Sequence, residues 1–344
     1  MEKILASWES LSASSGALRL LDINLRGIGQ VMFQNNPLSG ILFLVAIAWG
    51  SYAAGAPRVA IAGVVAVVMS NLTAQWLRAD SGSLHSGLYG FNGVLVGLAL
   101  ATFLAPGPLL WVYVILGAAV SVVVMLATTN VVKPWGGALT FPFVLTTWLL
   151  LLATYGFSGL AGTALPSGAV VTAFQPYKAS PLQLIDLAQG VFLRISQVFL
   201  KASGIASLFL LAGLAVSSLA AATFALGGAI LAVLTAHLLG AESDLITGGL
   251  LGFSPVLTAI ALGTVFYQPS WRVVAYAALA TVFTVITQAA VNVALTPLAI
   301  PALTAPFVLV TWLFLLPQQR LVERVPGADD LDEPVAGDGF SSRS

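Results

Sequence analysis

Residues 138–149 read ALTFPFVLTTWL, and residues 302–313 read ALTAPFVLVTWL, so 10 of 12 positions recur after a separation of 164. The recurring positions include polar Thr140 and Thr304, helix-disfavouring Pro142 and Pro306, and bulky Phe143 and Phe307. Apolar composition alone does not reproduce such a mixture, so the chain carries a duplication. Two weaker matches extend it. Residues 90–100 (GFNGVLVGLAL) and 252–262 (GFSPVLTAIAL) agree at 6 of 11 positions, and Gln30-Val31 pairs with Gln197-Val198. The offsets of 167, 162 and 164 differ only by loop-sized insertions.

Composition decides the solvent. Of 344 residues 58% are hydrophobic and only 8% charged, with mean hydropathy +0.98. Apolar runs of the roughly 17–25 residues that cross a bilayer as helix follow one another between short polar turns. A formal net charge of +0 argues against nucleic acid as a partner, and the absence of Cys excludes disulfides, thiolate metal sites and Fe–S ligation. Residues 1–15 have no apolar core, so no cleavable signal peptide is expected.

Apolar segments run roughly over 17–33, 38–55, 59–77, 86–104, 108–129 and 138–155, then 182–200, 204–223, 226–240, 247–266, 272–292 and 302–317. Six precede a polar linker and six follow it, matching one for one. We therefore expect a first repeat over 1–160, a linker over 161–181, a second repeat over 182–320 and a disordered cytoplasmic tail over 321–344. The fourth segment of each half is crowded with small residues (Gly82, Gly87, Gly90, Gly93 and Gly97; Gly248, Gly249, Gly252 and Gly263) and can be re-entrant. Half-way helices are tolerated in lipid only where their free ends are buried in protein or line a wet cavity.

Five crossings per half would turn the second repeat upside down relative to the first. With the N-terminus inside, that arrangement puts Lys3, Arg58, Lys133, Lys201, Arg272, Arg320, Arg324 and Arg343 inside against Arg78 and Lys178 outside. Twelve full crossings would move Lys133 and Lys201 outside and Lys178 inside, a smaller bias toward the inner face.

The paired Leu-Thr-x-Pro-Phe-Val-Leu-x-Thr-Trp-Leu elements, the Asn36-Pro37-Leu38-Ser39-Gly40 helix start and Gly90-Phe91-Asn92-Gly93 resemble the urea transporter family in its bacterial form, from about residue 20 to 318. The resemblance implies an all-α polytopic membrane protein of two inverted homologous halves, each with five transmembrane helices plus one re-entrant pore helix. It also implies a homotrimer in the cell inner membrane, with one pore per protomer, cytoplasmic termini and passive, selective urea permeation.

Urea is flat and neutral, with in-plane N–H donors, one strong acceptor and two apolar-like faces. A filter for it needs aromatic or aliphatic walls, oxygen acceptors along the edges and no charge. On helices, Phe91 and Leu95 lie one turn apart, as do Phe253 and Leu257, and these are candidate walls. Thr140 and Thr304 offer hydroxyls for the centre. The carbonyls of Ala138 and Ala302, four residues before Pro142 and Pro306, are expected to be free acceptors. Gln30, Val31 and Phe33 of the first half, and Gln197, Val198 and Leu200 of the second, are the remaining candidates; the resemblance places such positions beside the outer sites. Some bacterial members carry an acid where Gln197 stands, which leaves a neutral site here.

Each residue also has an ordinary reading. Phe and Leu commonly face lipid or a neighbouring helix, Thr bonds back to its own backbone, Gln holds helices together, and Trp148 and Trp312 suit packing or the membrane interface. Asp22 and Arg26, one turn apart, are expected to pair, and Asp186 and Arg194 to be structural, because a charge near the bilayer centre costs at least about 2.5–3.5 kcal/mol. His85 and His237 have no acid at ligand spacing and do not fall at equivalent repeat positions. No catalytic set, metal site, cofactor motif or phosphate loop is present. The competing functions are a channel for another neutral solute, an amide or ammonia, and an ion-coupled secondary transporter.

Overall fold

The computed structural model describes residues 2–133, 136–168, 184–241 and 253–317. The expectations for Gly248, Gly249, Gly252, Lys178, most of the linker and the disordered tail lie outside the described residues.

In the first repeat the chain forms α1 (Glu2–Ser14), α2 (Gly16–Gln30), α3 (Pro37–Ala53), α4 (Arg58–Trp76), α5 (Ser81–His85), α6 (Phe91–Phe103), α7 (Pro108–Val132) and α8 (Phe141–Ala153). The second repeat forms α9 (Leu184–Gln197), α10 (Gly204–Ser217), α11 (Leu219–Leu238), α12 (Phe253–Ile260), α13 (Trp271–Leu295) and α14 (Ala305–Leu315). A π turn, Ala261–Val265, extends α12, and a 3-10 turn, Thr296–Leu298, extends α13. Among the described residues there is no β-strand; one antiparallel bridge, Leu104 with Gly162, ties the chain after α8 to the end of α6.

Local chemistry explains where these helices begin and end. Asn36 Oδ1 accepts from Leu38 N at 2.9 Å with Pro37 in the first turn of α3, and at the equivalent start of α10 Ser203 Oγ accepts from Ala206 N at 3.3 Å. The preceding helices close on left-handed residues at matching positions, Phe33 (φ 62°) after α2 and Leu200 (φ 56°) after α9. The ends of α4 and α11 match likewise at Arg78 (φ 54°) and Gly240 (φ 71°). Duplication is thus visible in the backbone even where the side chains differ.

Among the described residues four helices, α4, α7, α11 and α13 continued to Leu298, are long and apolar enough to cross a membrane. The 25 residues of α7 reach roughly 37 Å at 1.5 Å per residue, and the side chains it exposes include Val112, Ile115, Leu116 and Val123. Shorter helices occupy the interior. Phe91 to Ala101 of α6 are all buried, as are Phe253 to Gly263 through α12 and its π turn. Helices apolar on every side are core helices. Helix α6 packs on α4 and α7, and α12 on α11 and α13. Gly93 and Gly97 let α6 lie directly against α4, because a side chain at either would collide with Ser70 or Ala62.

The repeats join where α3 packs on α10, with Ser39 Oγ donating to the Gly213 carbonyl at 2.7 Å, and where α8 meets α14. Asp22 and Arg26 pair as their spacing predicts, Arg26 Nε to Asp22 Oδ2 at 2.8 Å.

One expectation changes here. The sixth segment of each half is not one continuous span from residue 138 or 302, since the helices start only at Phe141 and Ala305, with 13 and 11 residues. A proline early in a helix opens it rather than kinking it, because its missing N–H has no intrahelical partner there anyway.

Candidate functional site: a threonine pair between two half-length helices

Leu139 and Leu303, both with φ 51°, turn the chain sharply into α8 and α14. The turn uses Phe141 N donating to the Ala138 carbonyl and Ala305 N donating to the Ala302 carbonyl, both at 3.2 Å. These carbonyls are therefore engaged, contrary to the expectation of free acceptors. The prolines sit inside the new helix rather than four residues into an old one, so nothing displaces the carbonyl behind them.

Thr140 and Thr304 take the N-cap positions, yet neither hydroxyl caps its own helix. Their Oγ1 atoms instead lie 2.6 Å apart in a direct hydrogen bond, and each residue is only 2% exposed. Two helix N-termini thus face each other across one pair of hydroxyls. Trp148 and Trp312 frame it reciprocally: Trp148 Nε1 donates to the Pro301 carbonyl, and Trp312 Nε1 to the Gly137 carbonyl, each at 2.9 Å. Donor and acceptor are exchanged between positions 164 apart, as a two-fold relation between the contacting surfaces requires.

The other candidates lie in the same interior. Phe91 and Phe253 are each 7% exposed, Leu95 and Leu257 are buried, and Val31 and Val198 are buried beside their glutamines. All six belong to one apolar cluster containing both repeats, against which the half-buried Phe33 and Leu200 pack. Phe33 crosses to the other repeat, its ring edge-on to Phe307 at 6.1 Å. Gln30 is half-buried and donates from Nε2 to the Ser86 carbonyl at 2.9 Å, leaving Oε1 without a protein donor among the described residues. Gln197 is half-buried at the matching position.

Two features go beyond the sequence reading. The tryptophans, read as packing or interface residues, bridge the repeats; their place inside the repeated motif was the available signal. Asn92 was read only as part of a motif, but its side chain caps α8, with Oδ1 accepting from Phe143 N at 3.1 Å and Nδ2 donating to the Leu139 carbonyl at 3.3 Å. Ser254 holds the equivalent place in α12, too short to do the same, and its buried Oγ has no partner among the described residues. The repeat does not keep the residue, so no sequence signal marked it.

Electrostatically the centre is neutral in side chains and positive in backbone. None of the candidate residues is charged, while each helix N-terminus carries roughly half a positive elementary charge. Among the described residues no three potential metal-ligating side chains gather.

Buried short helices wrapped by longer apolar ones, and joined across equivalent residues, define an internally duplicated, polytopic helical membrane protein. The profile of the urea transporter family matches residues 21–319. The chain is 30% identical over 318 residues to urea transporter 1 of Ovis aries, covering 91% of this chain and 80% of that protein. It is 31% identical over 324 residues to urea transporter 1 of Mus musculus, with the same coverage. The chain belongs to the urea transporter family.

Proposed function

We propose that the protein is a channel for passive, selective permeation of urea, the path running between the two repeats and narrowest at Thr140 and Thr304. The observation that carries this reading is the direct bond between the two hydroxyls at 2.6 Å. A urea molecule entering the pair replaces one hydroxyl–hydroxyl bond by its own N–H donated to one threonine and its carbonyl accepting from the other. Such an exchange of hydrogen bonds is nearly neutral in free energy, which suits a site that must release what it binds.

Phe91 and Leu95, with Gln30, Val31 and Phe33, form the approach contributed by the first repeat. Phe253 and Leu257, with Gln197, Val198 and Leu200, form that of the second. Rings and aliphatic chains cover the faces of urea, and the glutamine oxygens take its N–H groups before and after the threonines. The converging positive ends of α8 and α14 oppose cations at the constriction, so a neutral solute passes where sodium, ammonium or a proton does not. That favours a channel over an ion-coupled transporter.

In this reading the halves are inverted in the bilayer, each with five crossings and one re-entrant helix. The domain boundaries follow those read from the sequence. The protein is a homotrimer of the cell inner membrane with a pore in each protomer and both termini in the cytoplasm, as family resemblance and the distribution of basic residues suggest.

The test is stopped-flow flux in proteoliposomes, comparing urea with acetamide, thiourea and ammonia. Urea flux is expected to be fastest, indifferent to sodium and proton gradients, and reduced by Thr140→Val. Urea accumulation driven by an imposed proton gradient would reject the channel.

A further inference from the structure

A recess of about 270 Å³ lies where the α3–α4 connection meets the start of α10, lined among others by Gly50, Ala56, Arg58, Thr102, Lys201 and Ser203. Among the described residues that line it are two cations and no acid. Lys201 is 5% exposed, and among the described residues its ammonium has no hydrogen-bond or ion-pair partner. Arg58 Nε is likewise buried without a partner. A buried charge is costly unless a counter-charge meets it, and two like charges in one recess compound the cost.

Three further observations describe the surroundings of these two cations. The first turn of α4, at Arg58 and Val59, and Ser203, the N-cap of α10, line it, so the positive ends of two helix dipoles lie beside it. The Lys201 stem lies flat on bare backbone at Gly50, where a Cβ would meet its Cβ, Cγ and Cδ at 3.0, 3.0 and 3.1 Å. The carbonyls of Gly50, Ser51 and Tyr52 at the end of α3 take N–H groups from Ala54, Ala56 and Gly55.

Comparison of the repeats removes the structural explanation for the lysine. Lys201 corresponds to Gln34, and the same turn is made in both halves: Gln34 N donates to the Gly29 carbonyl at 3.0 Å and Lys201 N to the Ser196 carbonyl at 3.2 Å. Gln34 satisfies itself locally, Nε2 to the Met32 carbonyl at 2.6 Å. A neutral side chain therefore suffices for the turn.

We propose that this recess is an anion site for a phosphate-type oxyanion, held by Arg58, Lys201 and the starts of α4 and α10. Burial, then the Arg58 charge, lowers the Lys201 pKa to about 8, so the ammonium stays protonated at neutral pH and needs its counter-ion there. The oxyanion is either free in solution or the phosphate of an anionic lipid headgroup. The site does not depend on which solute the channel passes.

The test uses the purified full-length protein at pH 7 and fixed ionic strength. Inorganic phosphate and sulfate are titrated against chloride in detergent, with thermal stability and calorimetry as readouts. The same stability measurement compares nanodiscs of phosphatidylglycerol with nanodiscs of phosphatidylcholine. Saturable stabilisation by free phosphate or sulfate, about ten-fold or more weaker in Lys201→Met and Arg58→Gln, supports the site and identifies a soluble oxyanion. Variant-sensitive stabilisation by phosphatidylglycerol alone supports it and identifies the headgroup. Gly50→Ala, which lifts the Lys201 stem while keeping both charges, is expected to weaken binding as well. Stabilisation absent in both settings, or unchanged in all three variants, overturns the proposal.

Discussion

Thr140 and Thr304 bond to each other through their hydroxyls at 2.6 Å, although each stands at the N-cap of its own helix, where threonine ordinarily bonds the backbone. The bond is buried, so removing one partner leaves the other unsatisfied. Thr140→Val or Thr304→Val alone is expected to destabilise the protein by about 1–3 kcal/mol, whereas the double variant recovers most of that loss. Urea flux should move the other way and be lowest in the double variant. Thermal unfolding and stopped-flow flux on the same three proteins check both halves of this statement.

Trp148 and Trp312 make equivalent bonds in opposite directions between the repeats. Phenylalanine keeps most of the ring and removes the N–H, so Trp148→Phe and Trp312→Phe are each expected to cost about 0.5–1.5 kcal/mol. Parallel melts that show no loss in either variant would remove these bonds from what holds the repeats together.

Asn92 and Ser254 occupy one place in the two repeats and have opposite status: the first makes two bonds to the start of α8, the second makes none from its Oγ among the described residues. Asn92→Ala should therefore destabilise by about 1–3 kcal/mol, while Ser254→Ala, which removes an unpartnered buried hydroxyl, should be neutral or stabilising. Unfolding of the two variants side by side decides it.

Lys201 links stability to pH in a sense set by its lowered pKa of about 8 against 10.5 for a free lysine. Between those values the unfolded chain binds a proton that the folded chain has released, so in anion-free buffer stability rises as pH climbs from about 8 to 10.5. Below pH 8 both states hold the proton and this gain is absent. Among the described residues no acid or histidine lines the recess, and Arg58 is the other charged group there. Lys201→Met is expected to flatten the dependence and to melt higher than the parent at pH 7. An alkaline rise that persists unchanged in the variant would assign it elsewhere.

Legibility of the candidate site followed the duplication. Thr140, Thr304, Phe91, Leu95, Phe253 and Leu257 stood out because both copies keep them, and all six are buried in the interior. Where the copies diverge, the sequence was silent. Asn92 opposite Ser254 and Lys201 opposite Gln34 carry no repeat signal, and their roles depend on what lies across a helix interface. The break before Phe141 was also hidden, because an apolar run that includes a proline reads the same whether the proline kinks a long helix or opens a short one.

From the residues alone came the membrane as solvent and the presence of two copies, since apolar fraction and internal agreement do not depend on how the chain is packed. Which equivalent residues meet was a matter of tertiary structure. Contact between positions 164 apart requires the axis relating the copies to pass close by, and only the crossing of α3 with α10 and of α8 with α14 sets that axis. A hydrogen bond forms over a few tenths of an ångström, so packing rather than composition placed Thr140 against Thr304 and left Lys201 facing a recess without an acid.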